Sequence, residues 1–547
     1  MDWKRLHGVK LFYPERKGQV DMLSRWLTKL RINRSDFYWL LGALLVGLLA
    51  RSPGILWGYN FPTGWAFHHT DEYSHWVIAE NLIDPSTPIR WYHPYPKGMA
   101  AHVAIPWVAL RALTGELGQK APGILEIMVT GRIISVLYGT ATILVVFLLA
   151  RQLFRDKRVS LFAAWIFALG GLHVTQSHFL LADAGVLFWS LVGIYFLLLE
   201  MERPQLNYSP YLMAAAFSFG MAFGLKMVIL NLPSLAIITL IRQPRLLRAT
   251  YVMIFFISAF ALVNLFSFGY YDIMNIFKER AIDPYTWSRW SSLWLYIIES
   301  PSLASLPILL LSFVGSLFLI KKFLTPDVRN RFGLVIIIIL PISIEFLFVL
   351  IVRKHFLRHL IFLIPWIAMA AAWSLVRIID WMRPRKIHPA LVVAPLFLYL
   401  ALFVFDGERV FIQDPRNKAV QWIYENVPAG ETYFWRVDPG LPGYQKRGFP
   451  SDQNPAVVVQ QMVYTNHILS GLGWKNSYPR DYRHIFDSES QKNVDATQAL
   501  FKGTSDYQEA ARFKVGYFIP EYLFVDALLG DRSRNYVSEV VIFRRVK

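Results

Sequence analysis

MVTGRIISVLYGTATILVVFLLARQLFRDKR, residues 128–158, is an apolar run that ends in four cations, Arg151, Arg155, Lys157 and Arg158. A helix crosses the hydrocarbon core with roughly 20 mostly apolar residues, and residues 128–150 supply them. Lys and Arg gather in short cytoplasmic loops. The stretch therefore sets both a membrane span and its direction, outer end first.

The same pattern repeats along the chain. Apolar segments fall at 37–57, 159–177, 182–200, 211–224, 227–241, 249–270, 293–320, 332–352, 357–378 and 389–405, which makes eleven with 128–150. With the N-terminus cytoplasmic, the inner segments are 1–36, 151–158, 201–210, 242–248, 321–331 and 378–388. All but the neutral 201–210 are basic, among them Arg242, Arg245 and Arg248, then Lys321, Lys322, Arg329 and Arg331, then Arg383, Arg385 and Lys386. The two halves of 211–241 are short. Counting them as two crossings keeps every later basic loop on one side of the membrane.

Composition agrees. Of 547 residues, 55% are hydrophobic and 17% charged, against about 25% charged in soluble domains. The 19 Trp suit a protein with two water–lipid interfaces. There is no cysteine, which excludes disulfides and thiolate chemistry. The net charge of +18 follows from basic inner loops and does not call for a nucleic-acid partner. The first 36 residues are polar and basic without a cleavage signal, so the first span reads as a retained signal anchor. The expected architecture is an α-helical polytopic membrane protein of about eleven spans with a small C-terminal α/β soluble domain. Its parts are a cytoplasmic segment 1–36, a membrane domain 37–405 with a long outer loop 58–127, and an extracytoplasmic domain 406–547.

In that last part, Ala419, Val420, Ile423 and Tyr424 share one face of a helix expected at 416–427. Strand-like runs fall at 431–436, 514–519 and 539–544, with turn signals at Asp438-Pro439-Gly440 and Leu441-Pro442-Gly443.

The outer loop carries His68-His69-Thr70-Asp71-Glu72-Tyr73-Ser74-His75-Trp76. Two adjacent carboxylates at the membrane surface suit general-base work. They equally suit the capping of a helix that begins at Tyr73. The nearby histidines permit a divalent metal site with either carboxylate, although no tight ligand spacing is present. Ionisable residues also fall at the outer ends of the apolar segments: Arg132, His178, Asp183, Lys226, Arg353, Lys354, Arg358 and His359. Singly, each reads as a snorkelling side chain. Together they form a cationic outer rim that suits an anionic headgroup such as a lipid phosphate.

Several of these stretches resemble the protein O-mannosyltransferase-like glycosyltransferases of the GT-C superfamily, which includes the aminoarabinose transferases of lipid A. Asp71-Glu72-x-x-His75 is similar to that family's Asp-Glu motif, and Gly131-Arg132-Ile133-Ile134-Ser135 through Gly139 to its Arg-x-x-Ser-x-x-x-Gly helix. Ser177 to Ala184 resembles its Asp-Ala segment, Gly224-Leu225-Lys226 its Gly-Leu-x-x-Lys, and Arg358 to Pro365 its Arg-Tyr-Leu-x-x-x-x-Pro. Asp414-Pro415-Arg416 through Ile423 resembles a segment of prokaryotic members. His359 stands where the family has Tyr, and Tyr95-Pro96-Lys97-Gly98 replaces its more Pro-rich turn.

The resemblance implies an inverting transfer of a sugar from a polyprenyl-phosphate donor to a protein, glycan or glycolipid acceptor outside the cell. It makes Asp71 the general base and Arg132, Lys226, Arg358, Lys97 and Arg353 the donor-phosphate ligands. Glu72 and Asp183 would tune the base, bind acceptor or hold a metal, and His75 and His178 would meet acceptor or metal. The alternative is a transporter or flippase for an anionic or lipid-linked substrate, for which no internal repeat is found.

Overall fold

The computed structural model describes residues 33–57, 69–84, 86, 97–115, 122–202, 209–226, 231–242, 246–264, 296–323, 335–351, 357–428, 431, 433–436, 455–461, 498–529 and 539–546. Arg353, Lys354, the turn at 95–96 and the turn signals at 438–443 lie outside them.

Eighteen residues form α1 (Arg34–Arg51), started by the Asn33 side chain accepting the Asp36 N–H at 2.7 Å. The outer loop contributes α2 (Thr70–Ile83) and α3 (Gly98–Thr114). The second span is α4 (Ile124–Phe154). It ends where Arg155 turns left-handed at φ 55°, and Asp156 caps the following helix by accepting the Arg158 N–H at 2.9 Å. Next come α5 (Lys157–Ala168), α6 (Gly171–Gln176), α7 (Asp183–Met201), α8 (Pro210–Lys226), α9 (Leu232–Arg242) and α10 (Leu246–Asn264). Then follow α11 (Pro301–Ala304), α12 (Leu306–Phe323), α13 (Leu340–Ile351), α14 (Ile364–Met382) and α15 (Ala390–Ile412).

Each of the eleven apolar segments is thus helical over part of its length. Among the described residues, five helices are long and apolar enough to cross a membrane, or six if a pair bent by 101° between Ala304 and Leu306 is one span. The chain is an integral membrane protein.

Two expected spans are broken, and buried side chains from elsewhere meet the loose ends. The segment 159–177 divides between α5 and α6. There the buried Arg51 donates from Nη1 to Ala168 O at 2.9 Å and to Gly47 O at 2.8 Å, while Nη2 lies 2.9 Å from His173 Nδ1. At the second break Ser305 adopts φ 69°. A helix end in lipid needs such partners, because no water is there to supply them.

Ion pairs sort the chain into two faces. At one, Lys157 meets Asp36 (3.5 Å), Arg155 meets Glu202 (2.9 Å), Arg158 meets Asp380 (2.6 Å) and Arg242 meets Glu200 (3.2 Å). These are the ends that the sequence places in the cytoplasm. The residues assigned to the outer side pair among themselves at the other face, as described below.

Beyond α15, helix α16 (Pro415–Asn426) buries Ala419, Val420 and Ile423, but Tyr424 is exposed and not on the packed face. Four strands, β1 (Tyr433–Arg436), β2 (Val457–Gln461), β3 (Tyr507–Phe513) and β4 (Val540–Arg545), form one sheet in the order β1-β2-β4-β3. β1 and β2 are parallel and the other pairs antiparallel. Two strands, β1 and β4, match expected runs, and β2 and β3 add two more.

The run 514–519 is not a strand. Val515 instead joins Trp57, Phe179, Val410 and Phe411 in an apolar cluster, and the N–H groups of Phe518 and Ile519 both donate to Asp406 at 2.9 Å. Helix α17 (Pro520–Leu529) follows. Alternation divides β2: Val457 and Val459 share a core with α16, α2, α3 and the start of α4, whereas Val458 faces Leu500, Tyr507 and Phe543. The sheet therefore packs on α16 and shares a core with α2, the outer-loop helix that carries Asp71 and Glu72.

Close packing between spans requires glycine at Gly315 of α12, where a Cβ would stand 2.2 Å from the Ala370 carbonyl oxygen of α14. Gly315→Val is expected to lower stability by about 1–3 kcal/mol through overpacking. Gly516→Ala, where nothing lies within 4 Å of the added carbon, should be close to neutral. Thermal unfolding of the two variants in one detergent checks the contrast.

Candidate active site

Helix α2 begins one turn earlier than the sequence suggests. Thr70 is its first residue, and the cap is His69, whose Nδ1 accepts the Asp71 N–H at 3.1 Å. Asp71 and Glu72 therefore sit inside the first turn, where negative charge meets the positive end of the helix dipole. Neighbours on a helix point about 100° apart, and these two carboxylates have different surroundings.

Glu72 is fully buried. Its carboxylate takes a two-pronged bond from Arg132, Nε to Oε1 at 2.9 Å and Nη2 to Oε2 at 2.8 Å, and Oε1 also accepts the Leu180 N–H at 2.8 Å. Arg132 is equally buried. Its Nη1 donates to Ile55 O at 3.1 Å and Trp57 O at 2.5 Å. The guanidinium is occupied on every nitrogen, which leaves little room for the phosphate role the resemblance gives it.

The face of α4 that carries Arg132 explains the spacing of its motif. One turn on, the Ser135 hydroxyl reaches Leu181 O at 3.4 Å. Another turn on, a Cβ at Gly139 would stand 2.3 Å from Ser177 Oγ. Arg132, Ser135 and Gly139 thus hold the 177–183 turn against α4, and the turn delivers Asp183.

Trp57 seals the arrangement from the other side. The guanidinium carbons of Arg132 and Arg416 lie 5.9 and 5.5 Å from its ring centre, and its Nε1 donates to Asp414 at 3.1 Å. Asp414 caps α16 by accepting the Arg416 N–H at 2.9 Å and takes two bonds from that guanidinium.

Asp71 is different. It is 16% exposed and its Oδ2 lies 2.9 Å from Arg358 Nη2, on the short helical turn Leu357–Leu363 that leads into α14. Arg358 Nη1 also stands 3.2 Å from His69 Nε2. A neutral imidazole accepts at one nitrogen only, and the Nδ1 bond to Asp71 makes Nε2 the protonated one, in contact with Arg358 without bonding to it.

Asp183, first residue of α7, pairs with Lys226, last residue of α8. Arg358 and His359 are its further charge neighbours, and Tyr296 OH lies 3.4 Å from His359 Nδ1. Asp71, Arg358, Asp183, Lys226 and His69 thus form one partly accessible polar group where the ends of α2, α7 and α8 meet the turn that leads into α14.

The other candidates lie elsewhere. Lys97, at the N-terminus of α3, is half-buried, and burial holds its ammonium below its ordinary value. His75 is buried on the same face of α2 as Glu72. His178 is buried against Gly54, with Nε2 3.0 Å from Glu408 Oε2 of α15 but poorly aligned for a hydrogen bond. Among the described residues no three His, Asp or Glu side chains converge as metal ligands would. The sequence reading missed Trp57, and it named His69 and Arg416 without the roles they take here, which depend on contacts between distant segments.

Residues 125–278 match the family model for dolichyl-phosphate-mannose-protein mannosyltransferase. The resemblance expected from the sequence is therefore found in the part that carries Arg132, Asp183 and Lys226. Among solved structures, the chain is similar to the archaeal oligosaccharyltransferase AglB from Archaeoglobus fulgidus in complex with an inhibitory peptide and a dolichol-phosphate. Identity is 13%, with 95% of this chain and 89% of that chain covered and a TM-score of 0.49. It is similar too to ArnT from Cupriavidus metallidurans in the apo state, at 15% identity, 95% and 98% coverage and a TM-score of 0.46. The apo oligosaccharyltransferase of A. fulgidus matches at 15% identity and a TM-score of 0.45, over 72% of this chain and 58% of that chain. No curated protein sequence matches the chain.

Arg132→Ala leaves Glu72 as an uncompensated buried charge, at a cost of about 3–5 kcal/mol. Thermal unfolding in detergent should show it well below the parent, and an unchanged midpoint would remove the pair from the structural core. Acid acts through His69. Burial first, then Arg358, holds its pKa at about 3 against 6.5 in the unfolded chain, with Asp71 opposing. The unfolded chain therefore binds the extra proton in that window, and stability present above 6.5 is lost progressively as pH falls toward 3. His69→Gln should flatten this part of the acid-unfolding profile.

Proposed function

We propose that the protein is a glycosyltransferase that moves a sugar from a polyprenyl-phosphate donor to an acceptor on the extracytoplasmic face, with the N-terminus in the cytoplasm and Asp71 as general base. The observation that carries this reading is the division of labour within one dipeptide. Glu72 is locked away by Arg132, while Asp71 stays partly accessible beside Arg358 and the Asp183–Lys226 pair. The family match over residues 125–278 supports a lipid-phosphate sugar as donor.

In this reading the acceptor hydroxyl gives its proton to Asp71 as its oxygen bonds to the anomeric carbon. The bond from that carbon to the phosphate oxygen breaks, with inversion, and the lipid phosphate leaves as an anion. Fixed cations that meet developing charge are the largest source of such catalysis. Lys226 and Arg358 fill that role; the resemblance alone adds Lys97 and Arg353 as phosphate ligands.

Arg358 has a second part. A carboxylate held by a guanidinium is a poor base, because the opposite charge stabilises its ionised form. A donor phosphate that draws Arg358 toward itself releases Asp71 for proton transfer. Base activation is thereby tied to donor binding. Asp183 holds Lys226 until the phosphate arrives, and Arg132 serves the architecture of the site. The sugar and acceptor follow from contacts beyond these residues.

The test is release of polyprenyl phosphate from a panel of polyprenyl-phosphate sugars. Asp71→Asn should lower the rate by about 100- to 10,000-fold while the protein unfolds at the parent temperature. Full activity would remove Asp71 from the mechanism. No release by the parent with any sugar and acceptor supplied would favour the transporter.

A further inference from the structure

Helix α17 is built inside out for a helix at a water-facing surface. Its inward side carries Glu521, which is buried, and its outward side carries Leu523 (45% exposed) and Phe524 (52%). With Pro520, also exposed, these stand at helical spacing i, i+3, i+4. Phe518, just before the helix, is 47% exposed. In water, three large apolar side chains on one face would be a liability.

The depth of the helix gives the reason. Glu521 Oε2 accepts from Tyr399 OH at 2.5 Å, and Tyr522 stacks on Phe403 with ring centres 4.7 Å apart. Tyr399 lies within α15, six residues before 405, where the apolar segment of the last span ends. At 1.5 Å per residue that places the contact roughly 9 Å below the end of the span. Phe518, just before α17, meets Phe405 of α15 with ring centres 6.4 Å apart, and Phe405 belongs to an exposed apolar stripe of α15 with Leu391, Leu398 and Leu402.

The other oxygen of Glu521 completes the picture. Oε1 accepts the Leu306 N–H at 2.8 Å. Leu306 opens α12 at the break where the chain turns by 101°, so the tail supplies a carboxylate cap to a broken membrane helix. Negative charge is favoured there by the helix dipole, and the N–H has no water to turn to.

We infer that α17, with Phe518, is a membrane-inserted element: the C-terminal part of the chain dips back into the outer leaflet, caps α12 with Glu521, and lays Leu523 and Phe524 against lipid acyl chains. The sheet is thereby held at a fixed height over α2 and α3. The occupant of the apolar face is lipid, because Phe518, at the start of that face, lies against Phe405 of the exposed apolar stripe of a membrane span.

The absence of cysteine makes the test direct. Nitroxide labels are placed singly by Phe524→Cys, by Leu398→Cys as a bilayer reference and by Lys502→Cys as an aqueous one, and the full chain is reconstituted in phosphatidylcholine vesicles. Collision with oxygen, which concentrates in lipid, is compared with collision with a water-soluble nickel chelate. The Phe524→Cys label should match the Leu398→Cys label and exceed the oxygen-to-nickel ratio of the Lys502→Cys label. A ratio equal to that of Lys502→Cys would place α17 in water and overturn the inference. Low collision with both reagents would show the face covered by a second copy of the protein, and would overturn it equally.

Discussion

The half of the molecule that holds the candidate site depends on one buried ion pair. Arg132 donates two hydrogen bonds to Glu72 with almost no exposure of either, and their remaining capacity goes to Leu180 N–H and to the carbonyls of Ile55 and Trp57. A buried charge pair is tolerated when its geometry and its spare donors are both satisfied, and here they are. Through it the end of the first span, the outer-loop helix, the second span and the 177–183 turn become one rigid piece. Trp57 extends the same piece to Asp414 and Arg416, and so to the C-terminal sheet.

That rigidity has a chemical consequence. Asp71 can be presented at a partly wet edge only because its neighbour anchors the helix that bears it. Asp183 is fixed likewise, since it begins a helix whose entry turn is held by Arg132, Ser135 and Gly139. The accessible group then contains carboxylates and cations in close alternation, each partner restrained by the other. In the proposed mechanism an anionic ligand enters by taking over the cations, and its binding is thereby coupled to the release of a base.

The two broken spans follow the same rule. Arg51 from the first span serves the open carbonyls at the α5 end, and Glu521 from the tail serves an open N–H at the start of α12. Backbone that leaves helical geometry at membrane depth has to be met by protein groups. Both breaks thus tie remote parts of the chain together and both use a charged side chain to do it.

Much was legible in the sequence because lipid imposes local demands. Span length and loop charge are one-dimensional, so the eleven apolar segments and the two-faced sorting of the ion pairs follow from reading along the chain. The roles of Asp71 and Glu72 were not separable in this way, since both are acids at the same loop and only the distant Arg132 and Arg358 tell them apart. The run 514–519 has strand composition, yet Asp406 and the Trp57 cluster claim its N–H groups and side chains first. Periodicity, hydropathy and charge thus determined a polytopic membrane protein whose ionisable residues gather at the ends of its apolar segments. Which carboxylate is sealed, which cation is engaged and where the tail lies were decided by tertiary structure, because those are contacts between residues far apart in the chain.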